Sequence, residues 1–162
     1  MKDTNAHCLV LACGNTLRSD DGVGPFLASW AAKRFSENAR VRVVARQQWT
    51  PDLAQEIADA NSVLFVDSSI DSVPGRVRLV PVASNRGNGD AAARHPGTHH
   101  MAAHELLGLT RSLYGFIAAH AMLLTVGAGS TELGEAFSDR VEAALPRAQG
   151  VLEKAVLRFL AN

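Results

Sequence analysis

The sequence predicts an α/β protein, a three-layer α/β/α sandwich built on a mainly parallel, five-stranded twisted sheet. Short apolar runs alternate along the chain with segments of helical periodicity, which implies right-handed crossovers between parallel strands. Two of those runs, Cys8–Cys13 and Val63–Val66, are apolar throughout, as is typical of strands buried on both faces. A length of 162 residues with 47 % hydrophobic residues suits one sizeable core, so we expect residues 1–162 to form a single domain.

The composition excludes several classes of function. Lysine and arginine total 16, as do aspartate and glutamate, so the formal net charge is zero and nothing favours capture of nucleic acid or of an anionic membrane. No apolar run reaches the roughly 20 residues needed to cross a bilayer, and the first residues lack the features of a signal peptide. Cys8 and Cys13 fall on opposite faces of one predicted strand, which disfavours a disulfide. We therefore expect a cytoplasmic protein with reduced thiols.

The remaining elements follow from periodicity and from turn residues. Apolar residues recur at helical spacing from Val23 onward, and Thr50 followed by Pro51 is typical of a capped helix start. After the first strand the predicted order is a helix over Val23–Phe35, a strand over Val41–Val44, a helix from Thr50 to Ala60, the strand Val63–Val66, an edge strand over Val77–Val80, a helix over Ala102–Leu113, a strand over Ala121–Val126 and a helix over Ser138–Leu160.

Two segments carry predictions of their own. Pro146 lies inside the last helix and is expected to kink or divide it, because proline lacks the N–H that a helix interior uses. The stretch Ala83–Thr98 is rich in Gly, Asn, Ser and Ala and has no periodicity. We expect a long irregular loop there, and loops of that length are often functional.

Acidic residues follow two of the buried strands. Asp20 and Asp21 come after the first strand, and Asp67 ends another. In open parallel sheets ligands bind beyond the carboxyl ends of the strands, so Asp21 and Asp67 are expected to lie at the same binding edge. Ser19 or Asp20 is a good helix cap, and that role is a sufficient explanation of Asp20. Asp67 also has a structural explanation as a cap or loop anchor, a role for which Ser68 and Ser69 qualify too.

Histidines are concentrated near the start of the third predicted helix. His100 and His104 are four residues apart, which places them on one helix face if the helix begins early enough, but the glutamate of a zinc-protease helix is missing between them. One imidazole together with Asp21 and Asp67 makes a mixed oxygen and nitrogen donor set, which suits Zn²⁺ or Ni²⁺. The alternative is that these histidines are ordinary residues of a loop surface.

The segment Leu9–Gly24 resembles the opening of the hydrogenase maturation proteases, the peptidases that trim the large subunit of nickel–iron hydrogenases. The shared pattern is a strand ending in Gly-Asn, a short apolar loop, and an acidic pair followed by glycine, here Asp20-Asp21-Gly22. Val63–Asp67 is similar to the second acidic strand of that family, and Gln47–Leu53 to the segment after its second strand. The last third of the chain also agrees, so the resemblance covers nearly the whole sequence.

The resemblance implies which residues form the site. In that family a carboxylate after the first strand, an aspartate after the third and a histidine at the start of a later helix bind nickel already inserted in the precursor. Carried over by position, these are Asp21, Asp67 and His104, as metal ligands and as catalytic residues. A second alignment, through the run Thr98–His100, assigns His99 or His100 in place of His104.

The implied activity is that of an endopeptidase that removes the C-terminal extension of a nickel-loaded hydrogenase large-subunit precursor. Nickel, carried by the substrate, would be the recognition handle, and zinc or cadmium could replace it in a crystal. The expected partner is the precursor, with neither nucleic acid nor membrane, and the expected state is a monomer. Two alternatives stay open: a hydrolase with a permanent metal of its own, and a non-proteolytic paralogue that only binds the precursor.

Overall fold

A five-stranded sheet flanked by helices forms the centre of the protein. The structure is a computed structural model that describes residues 6–83, 101–115 and 118–162. The strands are β1 (Ala6–Cys13), β2 (Val41–Arg46), β3 (Ala60–Ser69), β4 (Val77–Pro81) and β5 (His120–Gly127). The helices are α1 (Val23–Arg34), α2 (Leu53–Ala58), α3 (Ala103–Tyr114) and α4 (Asp139–Ala161), and a 3-10 turn over Ser19–Gly22 precedes α1.

The order of the strands across the sheet creates a crevice between β1 and β3. The order is β2-β1-β3-β5-β4, with β4 antiparallel at the edge and the other neighbours parallel. Because β2 and β3 pair with opposite sides of β1, the connections after β1 and β3 turn away from each other. Such a topological switch point is where open α/β sheets bind their ligands.

Two helices cover each face of the sheet. Val10 and Ala12 of β1 point toward α1 and α4, whereas Leu9 and Leu11 point toward α2 and α3, following the alternation of side chains along a strand. β3 alternates in the same way between its two apolar clusters. The predicted three-layer α/β/α sandwich with a mainly parallel five-stranded sheet is therefore confirmed.

Pro146 was expected to kink or divide the last helix, and the division was wrong, because α4 continues without interruption from Asp139 to Ala161. Pro146 is exposed, whereas Val141 before it and Leu152 after it are fully buried against the sheet. Tertiary packing of the apolar face on both sides of the proline outweighs the missing hydrogen bond.

Two predicted helix caps were also wrong. Thr50 does not cap α2, since its hydroxyl donates a hydrogen bond to the Asp52 carboxylate. Asp20 does not cap α1, whose N-cap is Gly22 without a side-chain bond. In both cases the side chain forms a hydrogen bond with another partner instead of with the start of its helix. The partner of Thr50 is the nearby Asp52, and a partner of Asp20 is the distant Ser138.

Other predictions fall partly outside the described residues. The expected loop Ala83–Thr98 is described only at Ala83, and His99 and His100 are not described either. Cys8 and Cys13 are free and buried in different clusters, as expected for opposite faces of β1. Among the helices of the described ranges, none is both long and apolar enough to cross a membrane.

Candidate functional site

The carboxyl edge of the sheet changes from apolar to polar between two successive rungs of paired residues. On the face covered by α2 and α3, the last apolar rung consists of Val44, Leu11, Phe65, Leu123 and Val80. The next rung on that face, called here the polar row, consists of Arg46, Cys13, Asp67, Thr125 and Arg78. Asp67 stands in the middle of the polar row.

The Asp67 carboxylate lies between strand neighbours at the crevice. Its Oδ1 accepts a hydrogen bond from the Ser68 backbone N–H at 2.8 Å, and the Cys13 thiol on β1 lies within hydrogen-bonding reach of the carboxylate. Burial raises the pKa of Asp67 to about 7, against the effect of the hydrogen bonds from Cys13 and Ser68, and the nearby Asp21 charge raises it further. The carboxylate thus occupies a place where a cation would be favourable and a second anion is not.

Asp21 approaches the end of β3 from the turn before α1. Its Oδ1 accepts a hydrogen bond from the Ser68 hydroxyl at 3.0 Å, and its Oδ2 accepts one from the Asn15 backbone N–H at 2.7 Å. Ser68 therefore bonds to both carboxylates, to Asp67 through its N–H and to Asp21 through its hydroxyl. The structure brings the two predicted carboxylates together, and Asp21 stays half-exposed.

Two glycines allow this close approach. A Cβ on Gly24 would lie 2.1 Å from the carbonyl oxygen of Cys13, so the start of α1 rests directly on the end of β1. A Cβ on Gly14 would lie 2.0 Å from the carbonyl oxygen of Asp21, and Gly14 has a φ of 150° that favours glycine. The absence of side chains at both positions lets Asp21 reach β3.

Asp20 has a structural role that differs from that of its neighbour. Its side chain is fully buried, and its oxygens accept hydrogen bonds from the N–H groups of Gly129, Ser130 and Ser138 and from the Ser138 hydroxyl, at 2.7–3.0 Å. Burial alone would raise the pKa of Asp20, but the hydrogen bonds from Ser138, Ser130 and Gly129 outweigh it and lower that pKa. Asp20 joins the turn after β1 to the loop after β5 and to the start of α4.

Cys13 is 8 % exposed and adjoins Asp67. Burial raises the pKa of its thiol above the usual range, and the carboxylates of Asp67 and Asp21 raise it further. Activated cysteine nucleophiles need the opposite, an electropositive setting that lowers the thiol pKa. The thiol is therefore neutral at physiological pH.

His104 lies half-buried in the first turn of α3, in the helix layer that the polar row faces. The neighbouring Ala103 packs into the apolar cluster beneath that layer. Among the residues that the structure describes, no three His, Cys, Asp or Glu side chains are grouped closely enough to hold a metal ion. The chain thus brings Asp21 and Asp67 together, but it does not preassemble a three-ligand centre with His104.

Two residues of the site went unrecognised in the sequence. The sequence indicates Ser68 only as an alternative cap or anchor, although its hydroxyl bonds to Asp21. It indicates Cys13 only as a buried thiol, although Cys13 stands beside Asp67. Strand register is the signal that identifies Cys13, because the pairing of Ala12 with Val66 puts Cys13 next to Asp67 at the following position.

No protein-family model matches the sequence, and no curated protein matches it. Solved structures with the same architecture do exist. The hydrogenase maturating endopeptidase HybD from E. coli superposes with a TM-score of 0.70 at 19 % identity, over 94 % of this chain and 93 % of that one. The chain has the fold of hydrogenase maturation proteases.

Two archaeal structures extend that likeness. The nickel–iron hydrogenase maturation protease HycI from Thermococcus kodakarensis KOD1 has a TM-score of 0.69 at 21 % identity, over 99 % of this chain and 96 % of that one. The HybD protease of Thermococcus kodakarensis has a TM-score of 0.64 at 24 % identity, over 92 % and 98 %. The near-complete coverage in both directions shows that the whole fold is shared.

Proposed function

We propose that this chain is an endopeptidase that removes the C-terminal extension of a nickel-loaded hydrogenase large-subunit precursor. The observation that carries the proposal is the pair of carboxylates, Asp21 and Asp67, joined through Ser68 at the β1/β3 crevice. The pair occupies the ligand-binding edge of a fold that solved hydrogenase maturation proteases share. We further propose that the protease acts as a monomer in the cytoplasm.

The donor set fits a divalent cation brought by the substrate. Asp21 and Asp67 place two like charges close together, which is unfavourable until a cation lies between or beside them. Each carboxylate also keeps acceptor capacity beyond the hydrogen bonds described above. A histidine, His104 or one of the pair His99 and His100, would be the third ligand, and such oxygen and imidazole donors suit nickel or zinc. In this proposal nickel on the precursor is the recognition handle.

The same residues have a role in peptide hydrolysis. Binding the substrate's metal at Asp21 and Asp67 holds the scissile peptide at the crevice, and such positioning supplies a large part of the rate enhancement in hydrolytic enzymes. A carboxylate at the crevice can accept a proton from the attacking water, which is the ordinary task of a general base.

A serine or cysteine protease mechanism has less support. Across residues 6–83, 101–115 and 118–162, no hydrogen bond pairs a serine or cysteine side chain with a histidine ring, the arrangement that activates such nucleophiles. Ser130, the serine in the loop after β5, uses its hydroxyl to accept the Glu132 N–H at 3.3 Å. Cys13 is neutral, as described above.

Processing of a nickel-loaded precursor tests the proposal directly. The precursor is incubated with the protein, and the mass of its C-terminal region is measured before and after. Asp21→Ala and Asp67→Ala should abolish the loss of the extension. Asp71→Ala is the matched control, since Asp71 is an exposed carboxylate in the turn after β3 and should be dispensable. Full activity in both Asp21→Ala and Asp67→Ala would refute the proposal.

The histidine is assigned by three single variants, His99→Ala, His100→Ala and His104→Ala. We expect His104→Ala to abolish processing and the other two to retain it. Loss of activity in His99→Ala or His100→Ala instead would move the third ligand to the other alignment.

Two further measurements separate the alternative functions. Stoichiometric metal in the protein purified without precursor would favour a hydrolase with a resident metal. Binding of the nickel-loaded precursor without any cleavage would favour a non-proteolytic binding protein.

A further inference from the structure

Cys13 and Asp67 are neighbours because of strand register. Ala12 of β1 pairs with Val66 of β3, so the next residues of the two parallel strands, Cys13 and Asp67, stand side by side on the same face. Neighbouring strands are about 4.8 Å apart, a separation that short side chains bridge. The thiol lies within hydrogen-bonding reach of the carboxylate.

The surroundings hold the Cys13 side chain in place. Cys13 is 8 % exposed and belongs to the apolar cluster that includes Leu11 and Phe65 one rung below. Packing of this kind restricts a side chain to one rotamer. The thiol is therefore a fixed group beside Asp67, as is the other donor to that carboxylate, the backbone N–H of Ser68 in β3.

Asp67 needs such a fixed donor because it adjoins the negatively charged Asp21. Like charges repel, and a carboxylate with a single hydrogen bond is free to rotate away from its neighbour. A second donor restrains that rotation. Hydrogen bonds to ligating carboxylates act in this way in metal sites, and their loss typically lowers metal affinity or activity about 10–100-fold.

We propose that Cys13 is a positioning residue for Asp67, whose S–H donates a hydrogen bond that orients the carboxylate toward the cation carried by the substrate. The role rests on the proposed function, in which Asp67 binds that cation. In this role the sulfur keeps its proton, so Cys13 acts neither as a nucleophile nor as a metal ligand. A neutral thiol, with a usual pKa near 8.5, is a weak but adequate donor.

The hydrogen bond can be measured without any assay of cleavage. The infrared S–H stretching band of Cys13 is observed in the Cys8→Ala variant, which removes the band of the other cysteine in the chain. The band should lie at lower frequency than that of a free thiol and should return toward the free value in Cys8→Ala/Asp67→Ala. A band that does not respond to the loss of Asp67 overturns the proposal, whether or not the protein is a protease.

The role in the reaction is measured by processing of the nickel-loaded precursor. Cys13→Ala should lower kcat/KM about 10–100-fold, and Cys13→Ser, which retains a donor, should restore most of it. Cys8→Ala is the matched control, because Cys8 lies on the same strand but in the opposite cluster, and it should leave kcat/KM unchanged. Thermal unfolding of each variant verifies that lost activity does not reflect lost folding.

The outcomes distinguish the two proposals. An active wild type with an equally active Cys13→Ala variant overturns the positioning role and leaves the proposed function intact. If the wild-type protein does not cleave the precursor, the proposed function is overturned. The infrared band still shows whether Cys13 forms the hydrogen bond with Asp67. A sulfur-to-metal charge-transfer band on addition of Cd²⁺, lost in Cys13→Ala, would make Cys13 a ligand and overturn the positioning role.

Discussion

Asp20 and Asp21 are consecutive in the chain, yet their carboxylates join different parts of the fold. Asp20 is fully buried and bonds to the loop after β5 and the start of α4, through Gly129, Ser130 and Ser138. Asp21 is half-exposed and bonds to the end of β3. One carboxylate of the acidic pair is thus structural, and the other lies where a substrate can reach it. Substitution of Asp20 should therefore lower stability, whereas substitution of Asp21 should lower activity.

Substitution of Asp20 should cost stability. In Asp20→Asn an amide N–H₂ replaces an oxygen that accepts N–H donors, so buried donors lose their partner, and we expect a loss on the order of 3 kcal/mol in the free energy of unfolding. Asp71→Asn, at an exposed position, should change it by less than about 0.5 kcal/mol. Urea unfolding at pH 7 measures both, and an unchanged midpoint for Asp20→Asn would contradict the structural role.

The stability contribution of Asp20 should also depend on pH. Its pKa is lowered in the folded state, so the folded protein binds the proton less tightly than the unfolded chain. The contribution is therefore fully present above the ordinary aspartate pKa of about 3.9 and is lost as the pH falls through the lowered value. The gap in unfolding free energy between wild type and Asp20→Asn should be constant near pH 7 and narrow below about pH 4.

Ser68→Ala should lower activity more than stability. The variant removes the hydroxyl that bonds to Asp21 but keeps the N–H that bonds to Asp67. We expect processing to slow about 10-fold and the free energy of unfolding to fall by about 1 kcal/mol. The control is Ser69→Ala, whose hydroxyl makes no hydrogen bond within the described part of the chain. Equal rates in the two variants would show that the Ser68 hydroxyl is dispensable.

Substitution by alanine should lower the stability of the protein at Gly24 and raise it at Gly150. A Cβ at Gly24 would lie 2.1 Å from the Cys13 carbonyl oxygen, so Gly24→Ala should push α1 off the end of β1 at a cost of about 3 kcal/mol. Gly150 is in α4 and has nothing within 4 Å of its added Cβ, so Gly150→Ala should gain about 0.5–1 kcal/mol. Thermal unfolding of both variants shows whether the melting temperature falls in Gly24→Ala and rises in Gly150→Ala. A stabilised Gly24→Ala would contradict the close approach.

Pro146→Ala should stabilise the protein. Proline in a helix interior is about 3 kcal/mol less favourable than alanine, and part of this gain is offset because alanine gives the unfolded chain more freedom. We expect a net increase of about 2 kcal/mol in the free energy of unfolding. Arg147→Ala, the exposed neighbouring position, should have little effect. A Pro146→Ala variant no more stable than wild type would mean that the helix accommodates the proline without cost.

Local pattern was sufficient for most of the fold. The continuous apolar runs of β1 and β3 identify buried strands because both faces of a parallel sheet are covered by helices. Alternation at Val77–Val80 identified an edge strand, and β4 does lie at the edge. The expected division of the last helix at Pro146 was wrong for the converse reason, since contacts from the rest of the fold keep α4 continuous and no local pattern contains them.

The candidate site, like the fold, has features that the sequence predicts and features that only the tertiary structure decides. The common edge of Asp21 and Asp67 follows from the order of apolar runs along the chain. The expectation that Asp67 ends its strand was wrong, because β3 continues to Ser69 through its pairing with β5. That Ser68 links the two carboxylates, that Cys13 adjoins Asp67, and that Asp20 turns inward to Ser138 follow from contacts between residues 47–118 positions apart. A sequence shows which residues form an apolar strand, but the last residue of that strand and the partner of each side chain depend on strand register and on contacts between loops, which form only when the layers pack together.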